Sequence, residues 1–231
     1  MEGTEVRKLA ELEDRHWWYR ERRVLLAREL ARIERAGTAL DIGAAGGGNT
    51  RVLRSHGWTP IAIEYGAEGA EVARDRGLNV LRADARQLPV ADNSIDLVVA
   101  FDVLEHITED DAAMAEIGRV TRPGGVALIA VPCDMRLWSA HDEAVGHVRR
   151  YTRDSLQAVI TGGGFRIESL KSWNVLLRPA AAWHRKRSTG SDLDEVPPLT
   201  NRALSAVIAA ERYLPVQALP GVSLLVRARR A

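Results

Sequence analysis

Ala39-Leu40-Asp41-Ile42-Gly43-Ala44-Ala45-Gly46-Gly47-Gly48-Asn49-Thr50 carries an apolar strand straight into a glycine-rich turn and then a helix. Glycine admits positive φ and has no Cβ, so this backbone can approach a ligand closely while the helix behind it presents unpaired N–H groups. The segment therefore predicts a loop for a nucleotide-containing cofactor. A second apolar run, Pro60-Ile61-Ala62-Ile63-Glu64, ends on a carboxylate. An acid about 20 residues after the first strand can accept both hydroxyls of a ribose.

Two kinds of enzyme use that arrangement, a dinucleotide oxidoreductase and an S-adenosylmethionine methyltransferase. The dinucleotide fingerprint G-x-G-x-x-G fails here, because counting from Gly43 puts Ala45 at the second glycine and counting from Gly46 puts Arg51 at the last. Asp41, inside the first strand, instead suits a ligand with a positively charged amino group, since a carboxylate offers several acceptor sites to an ammonium.

Further along the chain, Asp84-Ala85 follows the strand Asn79–Ala83, Phe101-Asp102-Val103-Leu104-Glu105-His106 follows Ile95–Ala100, and Arg122-Pro123-Gly124-Gly125 precedes a fifth strand. With these segments, residues 38–168 resemble a class I S-adenosylmethionine-dependent methyltransferase of the small-molecule type. Asp41–Gly47 resembles that family's D-x-G-x-G-x-G, with Ala45 at the middle glycine, a replacement that requires this position to avoid positive φ. The resemblance implies S-adenosyl-L-methionine as cofactor. Asp41, Gly43, Ala45 and Gly47 would lie at its methionine end, Glu64 and Tyr65 at the ribose, Asp84 and Ala85 at the adenine, and Phe101 along the transfer channel. It also implies a doubly wound α/β architecture: a mostly parallel, seven-stranded Rossmann-like sheet with an antiparallel C-terminal edge strand and an N-terminal helical cap.

The pattern of elements agrees without the resemblance. Helices are predicted over Gly48–His56, Ala67–Arg76, Asp110–Val120 and Arg153–Ile160, alternating with strands, which argues for a parallel sheet with ligand at its carboxyl edge. After Phe165 the order changes to a strand over Arg166–Ser172, a polar stretch with a loop at Arg185–Asp192, a helix over Thr200–Leu214 and a last strand over Val222–Ala228. Residues 1–36 read as a helical cap of the same domain. Residues 37–231 form its body, with insertions on the substrate side at about 134–152 and 173–220.

At 231 residues, 46% of them hydrophobic, the chain can fill one substantial core. A formal net charge of +1 gives no support to a nucleic-acid partner. Cys133 stands alone, so no internal disulfide is expected, and a reducing, cytoplasmic setting is the expectation. No apolar run approaches a membrane span. The Arg178–Arg187 run with Trp183 offers a surface for an anionic membrane or a lipid-linked substrate, although a solvated basic face explains the same residues.

Methyl transfer needs positioning, and it needs a base only when the acceptor arrives protonated. The densest set of candidates is Trp138–Tyr151, in the loop after the fifth strand. His141 and His147 are the base candidates, because an imidazole pKa near ~6.5 suits proton acceptance at neutrality. A solvated lid held by internal ion pairs is the competing account, and a metal bound by His141, Asp142 and His147 is disfavoured because their spacing matches no compact ligand motif. The segment also resembles an H-D-E-x-x-G-H-x-R-R-Y signature of bacterial methyltransferases from glycan, lipid and natural-product pathways. That points to Trp138, Arg149, Arg150 and Tyr151 as substrate contacts, with the arginines clamping an anion. On the N-terminal helix, Tyr19 and Arg23 share a face and are candidates for the cofactor carboxylate, while Trp18 is a candidate for the acceptor or for packing.

The expected activity is methyl transfer to an oxygen, nitrogen or activated carbon of a small metabolite, glycan or lipid-linked intermediate. A nicotinamide-dependent oxidoreductase and a non-catalytic S-adenosylmethionine-binding regulator are the alternatives. The acceptor and the oligomeric state do not follow from the sequence.

Overall fold

Short β-branched runs alternating with amphipathic helices can bury both faces of a sheet only by placing helices on each side. The computed structural model, which describes residues 10–185 and 196–231, shows that arrangement. Parts of two expected features, the cap at residues 1–9 and the polar loop at 186–192, lie outside the described residues. Seven strands are present: β1 (Thr38–Ile42), β2 (Thr59–Glu64), β3 (Val80–Arg82), β4 (Ile95–Phe101), β5 (Thr121–Pro132), β6 (Phe165–Trp173) and β7 (Ser223–Arg230). They pair in the order β3-β2-β1-β4-β5-β7-β6. β1 to β5 are parallel, and the C-terminal β7 runs antiparallel between β5 and the outermost strand β6.

The helices are α1 (Trp17–Leu30), α2 (Gly48–Ser55), α3 (Ala67–Asp75), α4 (Asp110–Val120), α5 (Ala140–Val145), α6 (Arg153–Gly162), α7 (Arg178–Arg185) and α8 (Pro198–Glu211). Alternation along β4 divides the core between the two faces of the sheet. Leu97, Val99 and Phe101 pack with Leu26 and Leu30 of α1 and Leu53 of α2. Val98 and Ala100 pack with Met114 and Ile117 of α4 and Leu156 and Ile160 of α6. Chain order reverses between β1 and β4, so the crevice for a ligand opens at the carboxyl ends of these two strands.

The Arg122–Gly125 turn lies within the bounds of β5: pairing to β4 passes from Thr121 to Val126, and Gly124 turns at φ +78°. One local reading is corrected. Ala45 adopts φ +45°, the left-handed region the sequence reading expected it to avoid. The carboxylate of Glu64 accepts a hydrogen bond from Ala45 N at 2.8 Å and holds the turn there. A left-handed non-glycine residue costs roughly 1–2 kcal/mol. Ala45→Gly should therefore stabilise the protein by about 1 kcal/mol, raising Tm by roughly 2–4 °C. A thermal melt showing an unchanged or lower Tm would remove strain from this account.

Candidate active site

Asp41 stands in β1 where the strand enters the glycine turn. Its side chain is fully buried in β1, and Thr50 Oγ1, in the first turn of α2, donates to Oδ2 at 2.5 Å. The other oxygen, Oδ1, has no hydrogen-bond partner among the described residues. Burial pushes the carboxyl up to about 7, against the lowering effect of the Thr50 bonds. An orphaned buried acceptor is costly unless something pairs with it. The backbone beside it turns through Gly43 (φ +70°) and Gly47 (φ +79°). A Cβ on Gly43 would meet Val103 Cγ2 at 2.7 Å, and one on Gly47 would meet Leu78 Cδ1 at 1.9 Å. An orphaned acid beside a glycine cradle is a donor set that fits the amino-acid end of S-adenosylmethionine.

Glu64, at the end of β2, binds the turn with both oxygens, accepting from Ala45 N and, at 3.1 Å, from Gly66 N. A carboxylate has about four lone-pair sites, so capacity for two ribose hydroxyls remains. Gly69 on α3 makes room for it, since a Cβ there would lie 2.8 Å from Glu64 Cγ. Tyr65 follows and is largely exposed. Asp84 is paired with Arg86 at 2.7 Å, which together with its backbone bond to Arg86 lowers its pKa, and Ala85 is buried.

The N-terminal helix closes this end differently from the sequence reading. Arg23 reaches the loop region but spends its guanidinium on Glu13 O at 2.5 Å and on Asp14 at 3.5 Å. The cation over the sheet edge is Arg22, buried, 4.9 Å from the Phe101 ring and ion-paired with Asp102 at 2.9 Å. Tyr19 is half-buried, and desolvation pushes its phenol up. Trp18 packs on Trp173 with ring centroids 4.4 Å apart, so it anchors α1 to β6. Glu13 is buried and pairs with Arg51 at 3.1 Å and with Arg76.

The loop after β5 is a braced structure. Asp142 on α5 is fully buried and receives Arg150 Nε at 2.8 Å, Arg150 Nη2 at 3.0 Å and Ser139 N at 3.0 Å. His147 Nδ1 lies 2.7 Å from Asp142 Oδ1. Burial opposes ionisation of Asp142, but the His147 bond and Arg150 hold its carboxyl well below the usual range. Arg150 is therefore not an anion clamp: its side chain is wholly inaccessible and committed to Asp142. Tyr151 is not a substrate contact either, because it is buried with its hydroxyl donating to Asp110 Oδ2 at 2.5 Å. Arg149 pairs with Asp110 at 2.6 Å and donates to Thr108 O at 2.6 Å. Trp138 is half-buried, with its Nε1 directed to Glu143 at 3.4 Å.

The same bonds remove Asp142 from any metal set with His141 and His147, since both of its oxygens are taken by protein donors. The two histidines are nonetheless neighbours, with ring centroids 6.2 Å apart. His106 joins them, 4.7 Å from the His147 ring, and burial together with His147 lowers its pKa to about 4. Beneath them lies Glu105, fully buried, with neither carboxylate oxygen hydrogen-bonded among the described residues. Burial, reinforced by Asp102, raises its pKa well above the usual range.

Glu105, Asp102, Arg22 and Glu13 are the residues the sequence reading missed as individuals. The only signal was the acid beside His106 directly after a buried strand. Cys133 is buried filler, with Sγ directed to Gly221 O and burial raising the thiol to about 11. Arg178 of the basic run folds back onto Asp134, and no helix among the described residues is long and apolar enough to cross a membrane.

Comparison with known proteins agrees with this geometry. A methyltransferase-domain profile matches residues 40–129, from β1 into β5. A Mycobacterium tuberculosis protein described as a probable S-adenosylmethionine-dependent methyltransferase is 26% identical over 166 residues, 70% of this chain and 60% of that protein's length. The sheet is similar to that of Haemonchus contortus phosphoethanolamine N-methyltransferase 2, solved with S-adenosyl-L-methionine (TM-score 0.63, 17% identity, 91% of this chain and 52% of that one). It is also similar to that of a methyltransferase from Archaeoglobus fulgidus (TM-score 0.61, 14% identity, 90% and 94%). The domain match over residues 40–129 and the sheet order, which resembles that of solved methyltransferases, give this chain a methyltransferase-like α/β fold, and the chain spans about 60% of the length of the curated relatives it matches.

Proposed function

We propose that this protein transfers a methyl group from S-adenosyl-L-methionine to an oxygen, nitrogen or activated carbon of a small metabolite, glycan or lipid-linked intermediate. The observation that carries this reading is the bare, buried oxygen of Asp41 beside the Gly43–Gly47 cradle. When bound, the cofactor supplies an electrophilic methyl group on a positively charged sulfur. Asp41 and the backbone of Gly43, Ala45 and Gly47 hold its amino-acid end, with Tyr19 alongside on α1 and Arg23 holding the Glu13–Asp14 segment. Glu64 and Tyr65 orient the ribose, and Asp84 and Ala85 flank the base. Positioning of this kind is the main contribution a protein makes to such a transfer.

On the acceptor side, Phe101 and the Asp102–Arg22 pair form the wall next to the loop braced by Asp142. Ionised Asp142 can only accept, so His147 donates Nδ1–H to it and presents Nε2 as a proton acceptor. His141 is the second candidate for that role, and Trp138 a candidate contact for the acceptor. The resemblance of the 141–151 segment to an H-D-E-x-x-G-H-x-R-R-Y signature is the ground for an acceptor of that range.

Asp41 provides a pH test. Its folded-state pKa, about 7, lies above the ordinary 3.8. The folded state therefore holds this proton more tightly than the unfolded chain, and the stabilisation is fully present below about pH 4 and lost as pH rises through about 7. In that window the cofactor-free protein should lose stability with a slope approaching about 1.4 kcal/mol per pH unit from this group, and Asp41→Asn should flatten it. Urea titrations at several pH values in which wild type and D41N track each other would contradict the assignment.

Cofactor binding is tested by calorimetry with S-adenosylhomocysteine. Glu64→Ala should weaken binding at least tenfold, whereas Glu168→Ala, on β6, should leave it within about twofold. Equal affinities in the two folded variants would count against Glu64 as the ribose ligand. No binding to wild type would overturn the function.

A further inference from the structure

Glu105 is anomalous. A fully buried carboxyl group with neither oxygen hydrogen-bonded among the described residues is expensive, and burial of this kind is normally offset by a hydrogen bond, a partner charge or a metal. Next to it are two imidazoles. His147 Nε2 lies 3.8 Å from Glu105 Oε1, and one ligand atom from each of Glu105, His106 and His147 falls within 4.8 Å of the others.

Each imidazole is also braced on its far nitrogen. His147 Nδ1 sits 2.7 Å from Asp142 Oδ1 and His106 Nδ1 sits 3.3 Å from Gly146 O, which leaves Nε2 of each as the ligand atom. Carboxylate and carbonyl partners on the distal nitrogen are the usual support of metal-bound histidines. We propose that Glu105, His106 and His147 form a binding site for one divalent transition-metal ion at the acceptor edge of the cleft.

Two imidazoles and one carboxylate suit Zn²⁺ and Fe²⁺ and leave coordination positions open for a further ligand. Ligand atoms around one such ion at about 2.0–2.2 Å lie roughly 3–4 Å apart, so closure draws the widest pair in by about 1 Å. The inference rests on the methyltransferase reading only for what the ion does. The ion would hold an acceptor through oxygen and lower the pKa of that hydroxyl so that its proton passes to solvent water. The oxygen then takes the methyl group from the sulfonium as the C–S bond breaks and S-adenosylhomocysteine leaves; His147 would serve as a ligand rather than as the proton acceptor. The acceptor class that follows is a hydroxyl-bearing molecule.

The test uses the full chain, stripped with a chelator and titrated with Co²⁺ while its visible absorption is recorded. One equivalent should bind with a ligand-field spectrum of four- or five-coordinate cobalt. His106→Ala and His147→Ala should each weaken binding at least tenfold, and His56→Ala, at the end of α2, should not. His106 and His147 lie on different segments, so one variant carries the test if the other fails to fold. A wild-type protein with no such spectrum, or one whose Co²⁺ affinity survives both substitutions, overturns the site. S-adenosylhomocysteine binding is measured on the same metal-free samples. Loss of the cobalt site with intact cofactor binding therefore overturns the metal site alone, and cobalt binding without cofactor binding supports the site while overturning the methyltransferase reading.

Discussion

A carboxylate buried inside a parallel strand with one oxygen left bare is a constraint that the rest of the cofactor end is built around. Asp41 is reached by Thr50 from the first turn of α2, and that single bond ties the strand to the helix across the glycine turn. The turn is tight because Gly43 and Gly47 adopt positive φ where a Cβ would strike Val103 or Leu78. Ala45 follows the same path at a conformational cost, held by the Glu64 carboxylate. One acid thus defines the loop from within and a second clamps it from the neighbouring strand. These are also the two acids proposed for the amino group and the ribose of the cofactor, and on that reading the fold and the binding site depend on the same interactions.

The acceptor side is organised by a different buried acid. Asp142 gathers Arg150, Ser139 and His147, and the base of its loop is pinned where Asp134 N donates to Tyr151 O at 3.0 Å. Removing one partner of a buried ion pair typically costs about 3–5 kcal/mol, so losing Arg150 alone would strongly destabilise this loop. Its charged residues serve mainly to fix the His147 ring. Glu105, next to that ring, is buried with neither carboxylate oxygen hydrogen-bonded among the described residues.

The sheet, its parallel body and the strand-end acids were legible because they rest on period-two apolar runs, glycine positions and spacing, all local properties of sequence. What sequence could not resolve was which charges meet. Arg22 and Arg23 are adjacent in the chain, but helical geometry sends the first to Phe101 and Asp102 and the second to the Glu13–Asp14 segment. Arg150 and Tyr151 look like ligand contacts in a dense polar loop, yet they are consumed by Asp142 and Asp110, partners 8 and 41 residues away. Ala45 shows the same limit at backbone level, since a long-range bond from Glu64 overrides the intrinsic preference of alanine. Glu105 sits in an ordinary strand-end motif, and only its burial without a partner makes it unusual.

The central claim is that Asp41 and Glu64 grip the amino group and the ribose of one S-adenosylmethionine molecule across the β1–β2 edge. A crystal structure of the protein with S-adenosylhomocysteine tests it most directly. The account predicts the ligand's amino group within hydrogen-bond distance of Asp41 Oδ1, or joined to it through one water, and both ribose hydroxyls on Glu64. A ligand bound elsewhere on the molecule, or lying along the glycine turn with neither acid in contact, would contradict it.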